Sequence, residues 1–215
     1  MTTLLHLNVS PRGETSHSRR AADWIRQKLA AQHAPLTVLE RDLAADPLPP
    51  ISAAFTDANM AGAAGLLKEG EVPPALALSE TLIAELEAAD MVLLATPMHN
   101  FTVPATLKTW IDLVVRPERT FRSTRQGKVG LLRDRPVLAV VACGGPVREG
   151  PGSQQDFLTP YLKYVLGTIG LTSVEVLRMD NTARGPEYIA QGLEHLQTWA
   201  DATLPGLVVP TEAAA

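Results

Sequence analysis

The chain has 215 residues, of which 46% are hydrophobic, enough for one sizeable α/β core spanning residues 1–215. A net charge of −4 with dispersed basic residues leaves no electrostatic footprint for nucleic acid, and the single cysteine, Cys143, excludes an internal disulfide, a multi-cysteine metal site and iron–sulfur chemistry. The first residues lack a basic segment followed by an apolar one, and no apolar run approaches the roughly 20 residues that span a bilayer, so a cytoplasmic protein without a membrane partner is expected.

Leu4 to Val9 is a short, mainly apolar run, as in a strand covered on both faces. After a polar loop, Ala21, Trp24, Ile25 and Leu29 recur at helical spacing, and Ser16 or Ser18 supplies a hydroxyl suited to cap the helix. Leu36 to Leu39 reads as a second strand. The stretch from Ala44 to Pro74 carries Pro47, Pro49, Pro50, Pro73 and Pro74 among alanines and glycines. Connections of that length are uncommon in a compact domain and are often functional, and this one has room for a short helix.

Ser79 to Ala89 places Leu82, Ile83 and Leu86 on one helical face and leads into a third strand, Met91 to Ala95. A fourth strand follows at Pro136 to Ala142, then a helix from about Asp156 to Ile169, a fifth strand at Ser173 to Leu177 and a last helix from about Glu187 to Thr203. The tail after Pro205 is expected to fray. Strands that are apolar throughout, alternating with helices, imply a parallel sheet with helices on both faces.

In open sheets of this kind, ligands bind beyond the carboxyl ends of the strands, where the strand order reverses. That rule selects three loops. Ser10-Pro11-Arg12-Gly13-Glu14-Thr15-Ser16-His17-Ser18 offers hydroxyls and backbone N–H groups at a helix start, suited to a phosphate dianion. It is neither Gly-x-Gly-x-x-Gly nor a Walker A loop, so a monophosphate fits better than a pyrophosphate or triphosphate. Thr96-Pro97-Met98-His99-Asn100-Phe101 follows the third strand and Ala142-Cys143-Gly144-Gly145-Pro146 the fourth. With strand order 2-1-3-4-5 the three loops converge. Asn100 can then offer amide donors and an acceptor to a heterocycle edge, Met98 and Phe101 can pack on its faces, and Gly144 and Gly145 let backbone approach a flat ring.

These segments resemble the FMN-dependent NAD(P)H azoreductases, also described as quinone oxidoreductases, of the flavodoxin-like superfamily. The likeness covers nearly the whole chain. Ser10 with Ser16-His17-Ser18 is similar to the family's opening Ser and Ser-x-Ser, which implies a role in holding the ribityl phosphate. Pro97-Met98-His99-Asn100-Phe101 is similar to the family's Pro-Met-Tyr-Asn-Phe, and Leu107-Lys108-Thr109-Trp110-Ile111-Asp112 to its Leu-Lys-x-(aromatic)-x-Asp helix. Thr120-Phe121-Arg122, Thr159-Pro160-Tyr161-Leu162 and Gly167-Thr168-Ile169-Gly170 also look like family segments. Two departures stand out: His99 replaces the family's Tyr, and Ala142-Cys143-Gly144-Gly145 replaces its Ser-Arg-Gly-Gly.

The resemblance implies a flavodoxin-like three-layer sandwich. It also implies FMN as cofactor, NADH or NADPH as donor, quinones and aromatic azo compounds as acceptors, and a homodimer with ping-pong kinetics. Hydride chemistry would run on flavin N5 without a catalytic side chain, and Asn100, Phe101 and Phe121 would line the acceptor slot, helped by the segment around Phe55 to Leu67. Three lesser readings stand beside these: an acid/base role for His99, a nucleophilic role for Cys143 and a nicotinamide-phosphate role for Arg119 and Arg122. The alternatives to the enzyme are a flavodoxin-type FMN electron carrier and a flavin-free module on the same fold.

Overall fold

The computed structural model describes residues 1–68, 70–147 and 152–207. In chain order the elements are β1 (Thr2–Asn8), α1 (His17–Gln32), β2 (Leu36–Asp42), α2 (Ala53–Ala63), α3 (Ala77–Ala88), β3 (Met91–Pro97), α4 (Ala105–Val114), β4 (Phe121–Thr124), β5 (Gly127–Gly130), β6 (Val137–Ala142), α5 (Leu158–Thr168), β7 (Val174–Met179) and α6 (Pro186–Thr203). Five of the strands form a parallel sheet of order β2-β1-β3-β6-β7. This is the expected 2-1-3-4-5 order once the antiparallel β4–β5 hairpin, which the sequence reading did not anticipate, is set aside.

The central strands are mainly apolar because both faces are covered. Leu5, Leu7, Val92, Leu94, Val137 and Ala139 pack with Leu82, Ile83, Trp110, Ile111 and Leu162 of α3, α4 and α5. Their alternates Leu4, Met91, Leu93, Leu138 and Val140 pack with Ala21, Ile25 and Leu29 of α1 and Leu196 and Ala200 of α6. A final turn, Leu204–Gly206, buries Leu204 against this second layer; the rest of the tail expected to fray, 208–215, lies outside the described residues.

The proline-rich excursion is ordered by apolar packing of Leu48, Phe55, Ala58 and Leu67 on the core and by polar contacts. Ser52 caps α2 by accepting from Phe55 N, and Phe55 is buried. The buried Arg116, just after α4, donates to Asn59 Oδ1 (3.1 Å) on α2, and to Ser79 Oγ (3.1 Å) and Glu80 Oε1 (2.5 Å) on α3. Arg119 continues the network to Glu80 Oε2 (2.8 Å) and Glu87 Oε1 (2.6 Å), so Arg119 is held in an ion-pair network. Burial opposes ionisation of Glu80, but the hydrogen bonds from Arg119 and Arg116 outweigh it and hold its carboxyl below the usual range.

His6 is a polar residue in the middle of β1, fully buried, with neither ring nitrogen hydrogen-bonded. Nδ1 lies 3.6 Å from Glu40 Oε1 on the neighbouring strand, too long for a hydrogen bond. Burial lowers its pKa below 6.5, and Glu40 only partly opposes this. The unfolded chain therefore binds a proton that the folded chain refuses, and the associated stability, complete above pH 6.5, is lost as pH falls from there through the folded pKa. In urea unfolding, wild type should lose more stability between pH 7 and pH 5 than His6→Leu does; equal losses would remove His6 from the acid sensitivity.

Candidate functional site

The carboxyl ends of β1, β3 and β6 are neighbours, and the loops leaving them enclose a cleft of about 220 Å³. Ser10, Arg12, Ser16, His17 and Ser18 line one end. Pro97, Met98 and His99 come from the loop after β3, Ala142 and Gly144 from the loop after β6, and Thr182 and Ala183 from the segment after β7. Convergence of the three loops is thus realised, and a fourth joins them.

The serine end is built on the start of α1. Ser16 is the N-cap, its Oγ accepting from Arg19 N (3.4 Å) and lying 3.1 Å from Ser18 Oγ; Ser10, Ser16 and Ser18 are all buried. The first backbone N–H groups of a helix lack intrahelical acceptors and carry the positive end of its dipole, so this end suits an anion. Arg19 holds the loop in place. Its guanidinium donates twice to Ser10 O (3.0 and 2.6 Å) and bridges Asp42 Oδ1 and Oδ2 (2.8 and 2.5 Å) at the end of β2. The Arg19 hydrogen bond, reinforced by the N–H groups of Ala45 and Ala44, holds the Asp42 carboxyl below the usual range.

The loop after β3 is a tight turn in which His99 N donates to Thr102 O (3.0 Å) and Thr102 N to His99 O (3.1 Å). Its two central residues, Asn100 (φ 46°) and Phe101 (φ 73°), are both left-handed. Asn tolerates this conformation; a Phe held there costs on the order of 1–2 kcal/mol. The turn is kept by Phe157 N donating to Phe101 O (3.1 Å) and leaves Phe101 47% exposed at the rim. Asn100 lines a second hollow of about 500 Å³, with Thr102, Val103, Lys108 and Tyr161; His99 is common to both hollows.

The glycine loop is zipped to the segment after β7. Cys143 N donates to Met179 O (2.8 Å), while Cys143 O accepts from Thr182 N (2.9 Å) and Thr182 Oγ1 (3.0 Å); Gly144 O accepts from Ala183 N (3.3 Å) and Gly145 O from Asn181 N (3.2 Å). Gly144 lines the cleft. Gly145 does not: a Cβ on it would meet the Gln154 amide at 2.1 Å, so its missing side chain makes room for Gln154. Cys143 is buried with its Sγ 3.9 Å from Met98 Sδ, and burial pushes the thiol up to about 12. Such a thiol stays protonated at neutral pH, which is packing chemistry rather than nucleophilic chemistry.

Phe121 sits elsewhere. It begins the β4–β5 hairpin, buried beneath Lys128 (Nζ 4.7 Å from the ring centroid), and the hairpin rests on the carboxyl end of α5 through Leu132 N donating to Ile169 O (3.0 Å). That is where β7 starts, so within one chain Phe121 lies at the end of the sheet opposite the cleft. Arg119 is committed to Glu80 and Glu87, and Arg122 lies 3.3 Å from Glu118.

The cleft residues fit a flavin mononucleotide. Hydroxyls, a helix start, Arg12 and His17 at one end suit a phosphate dianion, and Pro97, Met98, Ala142 and the side-chain-free Gly144 make a wall for a flat ring. A profile of the Flavodoxin-like fold family matches residues 2–203. The chain belongs to this family. Among similar members, "FMN-dependent NADH:quinone oxidoreductase 2" of Cupriavidus pinatubonensis is 60% identical over 199 residues, 93% of this chain and 96% of its own. "FMN-dependent NADH:quinone oxidoreductase 5" of Burkholderia lata is 47% identical over 85% of this chain and 87% of its own. The crystal structure of azoreductase from Bacillus anthracis str. Sterne superposes with a TM-score of 0.80 at 28% identity, covering 94% of this chain and 100% of that one. Family membership and the observed strand order agree: the fold is flavodoxin-like.

Proposed function

We propose that the protein is an FMN-dependent oxidoreductase that takes electrons from NADH, with NADPH as an alternative donor, and passes them to quinones and aromatic azo compounds by a ping-pong mechanism. The observation that carries this reading is the cleft in which a serine-capped helix start faces Pro97, Met98, Ala142 and Gly144. The 60% identical relative named for this activity supports it.

Ser10, Ser16, His17 and Ser18 would hold the phosphate, joined by Arg12. Pro97, Met98, His99, Ala142 and Gly144 would flank the ring, with Asn100, Cys143 and Gly145 completing the two loops behind it. When bound, FMN supplies the two-electron chemistry between reduced nicotinamide and acceptor. The work of this chain is to bind, orient and shield: Arg19 fixes the phosphate loop, and the turn held at Phe157 sets an aromatic rim beside the hollow lined by Asn100 and Tyr161. The exposed Phe101 and Phe157 at this rim, with the exposed Tyr164 further along α5, support a homodimer in which a partner covers them, with Phe121 and the segment around Phe55 to Leu67 as candidates to complete the partner's acceptor slot.

The test is the absorbance spectrum after incubation with FMN and desalting, followed by anaerobic addition of NADH or NADPH. Retained yellow colour that bleaches is expected. Colour without bleaching would leave an electron carrier, and no colour would refute the flavin site. Phe101→Ala should raise the KM for a flat quinone about fivefold while leaving FMN affinity within about twofold, since the ring stands at the rim; equal losses in both would refute that assignment.

A further inference from the structure

His17 occupies the position between the two serines of the phosphate loop. It is the first residue of α1, lines the cleft beside Arg12, and has Arg20 one turn further along the helix. Burial, then the charges of Arg12 and Arg20, disfavour its protonated form, and the positive end of the α1 dipole acts in the same sense. The β3 side of the cleft contributes one more titratable group, His99; Ala142, Gly144, Thr182 and Ala183 complete the wall without charge, and Arg19 is committed to Asp42. Among the described residues lining this end of the cleft, the charges beside the imidazolium are therefore repulsive until an anion enters, whereupon a phosphate dianion reverses the sign of the field.

We propose that His17 makes phosphate capture proton-linked: the imidazole takes up one proton when a phosphate dianion enters the cleft, so that His17 selects the phosphorylated flavin over its dephosphorylated form more strongly as pH falls towards 6.5. This rests on the FMN reading of the cleft. The balance is simple: protein, FMN dianion and one proton combine into a complex holding an imidazolium against a phosphate, with no bond made or broken.

The sign follows from linkage. Binding raises the His17 pKa, so affinity is fullest below the pKa of the free site and declines as pH rises from there through the pKa of the complex. Below about pH 6 the phosphate's own second ionisation intervenes, which sets the useful window above it.

Quenching of flavin fluorescence should be titrated with FMN and with riboflavin at pH 6.5, 7.5 and 8.5, for wild type and His17→Gln. For wild type, FMN should bind about fivefold or more tightly at pH 6.5 than at 8.5, riboflavin should bind independently of pH, and His17→Gln should flatten the FMN series to within about twofold. Far-UV circular dichroism and the unchanged riboflavin affinity report that the variant is folded. Independently, the ring proton signal absent from the His17→Gln spectrum should titrate at higher pH in wild type with FMN than without. Parallel pH dependence for FMN and riboflavin, a slope surviving in His17→Gln, or a His17 signal unmoved by FMN would each overturn the proposal. Failure of FMN to bind at any pH would instead overturn the FMN reading itself.

Discussion

Ser16→Asp should lower affinity for FMN at least a hundredfold while costing the cofactor-free protein no more than about 1–2 kcal/mol, since the cap is kept but the carboxylate enters a buried cluster. Asp is as good an N-cap as Ser, so the carboxylate can replace the bond that Ser16 Oγ accepts from Arg19 N, and its charge complements the start of α1. The same carboxylate stands within the buried serine cluster, 3.1 Å oxygen to oxygen in the wild type, at the end of the cleft that suits a phosphate. Two like unit charges about 4 Å apart at an effective dielectric near 20 repel by about 4 kcal/mol, more than the roughly 2.7 kcal/mol that a hundredfold change requires. Thermal unfolding of the apoprotein and fluorescence titration with FMN and riboflavin separate the two effects. A variant that binds FMN normally would place the phosphate elsewhere, and one that loses riboflavin equally would have lost the cleft as a whole.

Gly130→Ala should destabilise the fold by about 3 kcal/mol, lowering Tm by about 6–12 °C for a chain of this size. A Cβ at Gly130 would lie 2.1 Å from Gly170 N and 2.4 Å from Gly170 Cα, and backbone cannot swing aside as a long side chain can. Relief requires β5 to withdraw from the end of α5, which strains the bond from Leu132 N to Ile169 O. Gly170 is itself left-handed (φ +105°), so the contact joins two positions where only glycine is comfortable. Gly167→Ala is the control: it is helical with open space around it and should be neutral or stabilising by up to about 1 kcal/mol. Similar Tm values for the two variants would mean that the hairpin is not docked as described.

The sheet was legible because strands covered on both faces leave a mainly apolar signature, as in Val137 to Ala142 and in Leu4 to Val9, where only His6 and Asn8 interrupt it. The signature failed where that physical condition fails. Residues 40–42 of β2 are polar, Glu40 pointing outward and Arg41 and Asp42 paired with Glu85 and Arg19, so the strand reads as ending at Leu39. The hairpin was missed because residues 125–126, Arg-Gln, carry none of the Asn-Gly or Asp-Gly chemistry that marks a two-residue turn. In the site, the three loops were found from position alone, at the ends of apolar strands. Arg19 and Asp42 were not, since they are 23 residues apart and each looks like ordinary solvated charge until β2 is laid beside β1. Thr182 and Ala183 follow the fifth sheet strand, and the signal was there: the rule that selected the other loops applies equally to this one. Phe101 reads from the sequence as an aromatic able to pack on a flat ring, but its left-handed backbone depends on the bonds from His99, Thr102 and Phe157, which no local pattern announces.

The placement of β2 and β7 at the two borders of the sheet has a consequence for how the protein behaves in a crowded solution. An unpaired border strand is a template on which another chain can grow a sheet, and a long flat apolar one invites aggregation. Here each border is interrupted by ionised side chains: Glu40, Arg41 and Asp42 on β2, Glu175 and Arg178 on β7, with Arg178 gripped by Asp156 and Asp180. Adding a foreign strand would require stripping water from these groups. The borders therefore resist open-ended growth of the sheet and act as gatekeepers during folding, when Leu4 to Val9 and Val137 to Ala142 are transiently exposed.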